Sequence, residues 1–199
     1  MVSPALGCPP WPPDQAWTSP KVGALTPVGG APSAELGHRD IAYLCGPEGN
    51  VLDTERSDGV AQALAAHGLA LPEARFGSRD FSLEAGRGAA AEFVALAPCP
   101  TAVICASDQL AIGLASGLHA RGLRVPDDVS LIGFDDIQTA ELVIPPLTTV
   151  RQDRLQIGAQ AAGLLLRQLA GANCAPDKIV TLPVSFQIRN STSAPRPAA

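Results

Sequence analysis

Charge, aromatic rings and metal-ligand spacings are all scarce in this 199-residue chain, and each scarcity removes a class of function. Charged residues make up 17% and the net charge is −5, with no cluster of Lys or Arg. That leaves no electrostatic footprint for the phosphates of a nucleic acid or for an anionic membrane. Aromatic residues are 4% of the chain while 46% is hydrophobic, so the core must be built mostly from Ala, Leu, Val and Ile. The five cysteines show no CxxC spacing and the three histidines stand far apart, so no zinc signature exists and no metal or cofactor is expected. Cys45 and Cys105 fall inside apolar stretches and read as small core residues of a reducing, cytoplasmic protein. No apolar run reaches the length of a membrane span, and no basic region followed by an apolar one opens the chain. No Ser/His/Asp order or paired carboxylate set has a supporting context, so an enzyme is not expected.

What is present sorts into two parts. Residues 1–33 hold eight of the nineteen prolines and both tryptophans, with almost no charge. Proline removes backbone donors and clashes with a preceding helical turn, so CPPWPPDQAW excludes a helix and predicts a disordered, polyproline-like segment. From there on, small and β-branched residues alternate with helical patterns, which predicts an α/β protein with an open parallel sheet and helices on both faces.

The organising stretch is Pro100–Thr149. Thr101–Ala106 reads as a buried strand. Ser107 is placed to cap the following helix, and Asp108 puts a negative charge in its first turn. Leu110, Leu114 and Leu118 form one apolar stripe, Gly122 ends the helix, and Val129–Phe134 is the next buried strand. This is a parallel βαβ unit. Ser107–Asp108 and Asp135–Asp136 therefore lie past the carboxyl ends of two strands of one sheet, where ligands bind in open α/β folds. Capping and turn formation alone would also account for these four residues.

Around that unit, Ala34–Gly37 predicts the end of a helix and Ile41–Gly46 a buried strand. Asp53 is expected to cap a helix over Thr54–His67, with Arg56 near its N-terminal end, where a cation opposes the helix dipole. Leu71–Phe76 reads as a short strand. Ser82 caps a helix over Leu83–Leu96, and Phe81 before it reads either as a hydrophobic staple or as a stacking surface at a pocket mouth. Thr139–Val143 predicts a short helical turn. Asp153 caps a helix over Arg154–Ala170, whose Leu155, Ala159, Ala162, Leu166 and Leu169 lie along one side. Ile179–Leu182 and Val184–Arg189 read as terminal strands, interrupted by Pro183 at an edge or crossover.

The segments CASDQLAIG, GLRVPDDVSLIGFDD and IPPLTTVRQD, in this order, together with ELGHRDIAYLCGP upstream and LPVSFQIRNST downstream, resemble the effector-binding core of the LacI/GalR family of bacterial transcription regulators. The resemblance runs from about Ala34 to Ser193, roughly four-fifths of the chain, and the segments together are specific where any one is weak. It implies a periplasmic-binding-protein-like fold of type I, here truncated. Residues 34–150 and 178–191 would form the C-terminal subdomain of the effector-binding domain. Residues 151–177 would carry a residual helix of the N-terminal subdomain, and 192–199 a tail. The family's helix-turn-helix and most of its first subdomain have no counterpart in the chain, and residues 1–33 read as a stretch that replaced them by truncation or frameshift.

The same resemblance implies a small-molecule effector of the sugar or nucleobase class, bound between subdomains, and a homodimer that reaches DNA only through a helix-turn-helix. Carried over by position, Arg56 becomes a polar anchor, Phe81 a stacking face, and Ser107 and Asp135 hydrogen-bonding partners. Ile112 and Val143 become candidates for the dimer interface, with core packing as their alternative. Ser107 stands where many members carry asparagine, so one amide contact is lost. A solute-binding protein of a transport system shares the implied fold, and an inactive relic would share the sequence.

Overall fold

The structure, a computed structural model, describes residues 31–71, 75–77, 80–170, 180 and 182–196. Most of the Pro-rich segment lies outside the described residues, as do Ile179 and Thr181 of the strand expected over 179–182; Val180 and Leu182 are described and carry no strand. The elements in chain order are α1 (Ala31–Glu35), β1 (Ile41–Leu44), α2 (Val51–Ala66), β2 (Arg75–Phe76), α3 (Leu83–Phe93), β3 (Ala102–Cys105), α4 (Asp108–His119), β4 (Ser130–Asp135), a 3-10 turn (Gln138–Glu141), β5 (Thr148–Gln152), α5 (Arg154–Leu169) and β6 (Val184–Gln187).

Among the described residues, six strands form one sheet in the order β2-β1-β3-β4-β5-β6. The first five are parallel, and β6 runs antiparallel to β5. Every residue of β1 and β3 is buried, as in a parallel sheet covered on both faces. The main core joins Ile41–Cys45, Ala102–Ala106 and Val129–Ile132 to Leu64, Phe93, Leu110, Leu114 and Leu118, and a smaller cluster gathers Phe134 and Val150 with Val184 and Phe186.

Several predicted boundaries hold because local chemistry decides them. Ser82 accepts from Ala85 N–H at 3.1 Å, Ser107 from Leu110 N–H at 3.2 Å and Asp153 from Gln156 N–H at 2.9 Å, each satisfying a donor orphaned at a helix start. Gly122 takes φ +80° just beyond α4, a conformation glycine adopts without penalty. One cap differs. Asn50, not Asp53, caps α2, its side chain accepting from Leu52 N–H and Asp53 N–H. Asp53 instead turns inward and accepts from Tyr43 OH at 3.1 Å and Gly46 N–H at 2.8 Å, tying the loop after β1 to α2. The expected strand over 71–76 shortens to Arg75–Phe76 among the described residues.

Helices α3 and α4 pack backbone to backbone. A Cβ on Gly113 would lie 2.1 Å from Leu83 O, and one on Gly86 would lie 2.3 Å from Leu110 O. Residues 191–193 are tied to the core: Ser193 O accepts from His38 Nε2 at 2.8 Å, and Ser191 O accepts from Leu131 N–H at 2.8 Å. Helix α5 differs from all of this, since none of its residues is buried. Among the described residues no helix is long and apolar enough to cross a membrane.

Candidate functional site

The carboxyl ends of β1, β3 and β4 bring three of the four predicted ligand residues together. Arg56, in the first turns of α2, is held over this edge with its side chain only 10% exposed. Its Nη1 donates to Ala106 O at 2.5 Å, and its Nη2 donates to Asp135 Oδ1 at 3.3 Å. The guanidinium carbon lies 4.0 Å from the centroid of Phe134 and 6.0 Å from that of Phe81. Two rings therefore face one cation. Its Nε is buried and has no hydrogen-bond partner among the described residues. A cavity of about 20 Å³ lies against Arg56, Tyr43, Cys105 and Phe134. Burial first, and nearby Asp108 second, push the Cys105 thiol up, so it stays protonated and unreactive.

Phe81 faces Arg56 and not its own helix, because the alternative partner does not exist. A staple needs an apolar side chain at the fourth position of α3, and that residue is Gly86. The ring lies instead against Gly46, where a Cβ would come within 2.3 Å of it. Gly46 thus lets Phe81 approach the sheet edge.

The fourth residue, Ser107, is adjacent to the Ala106 carbonyl that Arg56 grips, but it is 4% exposed and its oxygen is occupied as the cap of α4. Its hydroxyl proton remains able to donate. Ile112 and Val143 are both partly buried and packed on the main core. The exposed apolar side chains beside Val143 are its neighbours Leu142, 69% exposed, and Ile144, 98% exposed.

The turn after β4 is strained and heavily tied. Asp135 has φ +111° and Asp136 φ +51°, left-handed conformations that side chains other than glycine rarely adopt. Asp135 Oδ1 also accepts from Gln152 Nε2 at 2.7 Å. Burial raises the Asp135 carboxyl above its ordinary value, partly offset by the Arg56 charge. Asp136 goes the other way. Burial opposes its charge, but hydrogen bonds from Arg189 and Arg151 outweigh that and hold its carboxyl below the ordinary value. Arg189 Nη2 donates to Asp136 Oδ1 at 2.7 Å, Arg151 Nε donates to Oδ2, and Arg189 Nη1 donates to Leu147 O at 2.8 Å. An open cleft of about 630 Å³ flanks this clamp, lined by Arg151, Gln152, Arg154 and Arg189 among others. It shares Gln152 with the Arg56 site and is the more exposed of the two.

Sequence reading alone did not single out Phe134, Gln152 or the Asp136 clamp. Gln152 lies inside a stretch with a recognisable pattern, which was the available signal. Phe134 offered none, since a phenylalanine closing an apolar strand reads as core. Among the described residues no group of three or more His, Cys, Asp or Glu is placed to hold a metal ion.

The chain is similar to known proteins along most of its length. Residues 33–192 match the family model described as a periplasmic binding protein-like domain. The HTH-type transcriptional repressor CytR of Escherichia coli K12 is 42% identical over 137 residues, covering 69% of this chain and 40% of the repressor. A LacI family transcriptional regulator from Enterococcus faecium, solved with bound ribose, superposes with a TM-score of 0.74 at 32% identity over 87% of this chain and 63% of its own. The transcriptional regulator CelR in complex with cellobiose superposes with a TM-score of 0.79 at 33% identity over 86% of this chain and 52% of its own. The chain spans about 40% of the length of the curated repressor it matches.

Proposed function

The chain belongs to the periplasmic-binding-protein-like family as represented by the effector-binding domains of LacI/GalR regulators, and from that premise we propose that it senses a small polyhydroxy metabolite, such as a sugar, at the Arg56–Phe81–Asp135 edge. The observation that carries this reading is the state of Arg56. It is nearly buried, braced on Phe134, its Nη2 reaches Asp135, and its Nε has no hydrogen-bond partner among the described residues. A buried donor without a partner costs about 1–3 kcal/mol, and a ligand hydroxyl at Nε would recover that. Phe81 would then stack on the apolar face of a sugar ring while Asp135 accepts from its hydroxyls. Ser107 supplies at most one donor.

In a longer regulator, ligand binding would favour one of two arrangements of the sensor and so shift DNA affinity. Control of DNA binding, a homodimer with Ile112 and Val143 near its interface, and a cytoplasmic location are proposed here as properties of such a regulator. The test is a thermal melt of the purified chain with D-ribose, cellobiose, sugar phosphates and purine nucleobases. One compound class should raise the midpoint by several degrees, since saturation at about a hundred times Kd is worth about 2.7 kcal/mol. Arg56→Ala should abolish the rise. A cooperative melt that no compound moves would refute the sensing reading.

A further inference from the structure

Asp108 is wholly buried and lines neither cavity, yet it holds the turn that carries Asp135, the carboxylate paired with Arg56. Its Oδ2 accepts from Ile137 N–H at 2.8 Å and its Oδ1 from Thr149 Oγ1–H at 2.5 Å. Ile137 follows the strained pair Asp135–Asp136, and Thr149 lies on β5, paired with Gly133 of β4. One carboxylate thus spans α4, the turn and β5. The space it occupies is reserved for it: a Cβ on Gly133 would lie 2.2 Å from Asp108 Oδ1. The three successive residues of the turn are anchored separately. Asp135 is held by Arg56 and Gln152, Asp136 by Arg151 and Arg189, and the Ile137 amide by Asp108. The first two anchors are themselves ligand-facing or lie on the open cleft. Asp108 is the interior one, fixed against the core.

We propose that Asp108 is a positioning residue for ligand recognition, holding Asp135 in its left-handed conformation beside Arg56 by fixing the Ile137 amide against β5. This rests on the sensing role assigned to Arg56 and Asp135. A positive φ at a residue with a side chain persists only where its surroundings over-determine it. Loss of the Ile137 anchor lets Asp135 relax toward extended backbone, which withdraws its carboxylate from Arg56. The bridge needs two hydrogen-bonding atoms, not a charge. Asparagine supplies them, accepting from Ile137 N–H through Oδ1 and donating to Thr149 Oγ1 through Nδ2.

The experiment compares the wild-type chain with Asp108→Asn, Asp108→Ala and Gly133→Ala, the last leaving Asp108 in place but displacing its carboxylate. Two ligand-free readouts are taken by NMR: amide exchange at Asp136 and Ile137, and the ring-current shift of the Arg56 guanidinium protons over Phe134. Asp108→Ala and Gly133→Ala should speed exchange at the turn at least about tenfold relative to β1 and β3, and should move the Arg56 signal back toward its exposed value. Asp108→Asn should keep both as in wild type. If Asp108→Ala does not fold, Asp108→Ser, which is too short to span both partners, takes its place. Unchanged exchange in Asp108→Ala, or an Asp108→Asn variant as loose as the alanine one, overturns the inference. D-ribose and cellobiose are then titrated into each variant. If wild type binds neither while the turn still loosens and is rescued as described, the sensing role fails and the positioning stands.

Discussion

The Arg56 guanidinium carbon lies 4.0 Å from the centroid of Phe134, and the residue after Phe134 is Asp135, the carboxylate that the same guanidinium reaches at 3.3 Å. Strand β4 therefore presents a ring and an anion to one cation from two consecutive positions. Successive strand residues normally point to opposite faces. The positive φ of Asp135 breaks that alternation and lets both contacts form.

Phe134→Leu keeps an apolar side chain, somewhat smaller, but removes the ring. The expected loss of stability is about 2 kcal/mol or more, the size of a desolvated cation–π contact, read from urea unfolding. Arg56→Lys should not substitute for arginine in the ligand melts. A single ammonium cannot lie on Phe134 while bridging Ala106 O and Asp135, so the lysine variant should behave as Arg56→Ala does. Full retention of the ligand response in Arg56→Lys would show that only positive charge is needed there.

The α3–α4 contact should tolerate no side chain at Gly113. A methyl group there would sit 2.1 Å from the Leu83 carbonyl oxygen, and backbone cannot swing aside as a flexible side chain does. Gly113→Ala should cost more than about 2 kcal/mol, well beyond the few tenths typical of a helix surface. Gly88→Ala in α3, where nothing lies within 4 Å of the new methyl, should be neutral or slightly stabilising through helix propensity. Equal effects at the two glycines would contradict the close helix approach.

These residues also show what the sequence made readable. Ser82, Ser107 and Asp153 were legible as caps because a cap is a bond between near neighbours. The βαβ unit was legible from apolar runs, and Arg56, Phe81 and Asp135 from a family pattern. Asn50 and Asp53 are both good capping residues, and only the backbone path after β1 decides that Asn50 caps while Asp53 faces Tyr43. The clamp between Asp136 and Arg189 joins positions 53 residues apart, and the stack of Arg56 on Phe134 depends on how α2 crosses the sheet. Neither leaves a local mark.

Stability should depend on pH through Asp108 in a direction opposite to ordinary acid unfolding. Burial is the main cause that raises its carboxyl from 3.8 to about 6, with Asp135 and Asp136 adding to it and the bonds from Thr149 and Ile137 opposing it. Between those values the folded state holds a proton that the unfolded state has released. The contribution of Asp108 is therefore full below about 4 and falls as pH rises to about 6, by on the order of 2–4 kcal/mol. Asp135, also raised, slopes the same way. Asp136 and His38, both lowered, slope oppositely: each loses stabilisation as pH falls. The Asp108→Asn variant separates them. The difference in unfolding free energy between it and wild type should change over pH 4 to 6 and stay level from pH 7 to 8. A flat difference across the whole range would show that Asp108 titrates normally.

Helix α5 should make the isolated chain self-associate. Leu155 is 88% exposed, Leu165 55%, Leu166 66% and Leu169 75%, and no residue of the helix is buried. Apolar area of this kind gains about 25 cal/mol per Å² when covered, and four leucines on one helix exceed what a soluble monomer usually leaves open. A second exposed apolar group, Leu142 and Ile144, lies next to Val143 and offers a rival surface. Light scattering after size exclusion distinguishes them. Leu165→Glu combined with Leu169→Glu should weaken association at least about tenfold, because each charge would have to be buried in the contact. Ile144→Glu should leave that association unchanged. If Ile144→Glu abolishes it and the α5 variant does not, association runs through the Val143 side, and the leucines of α5 are then exposed without consequence at working concentration.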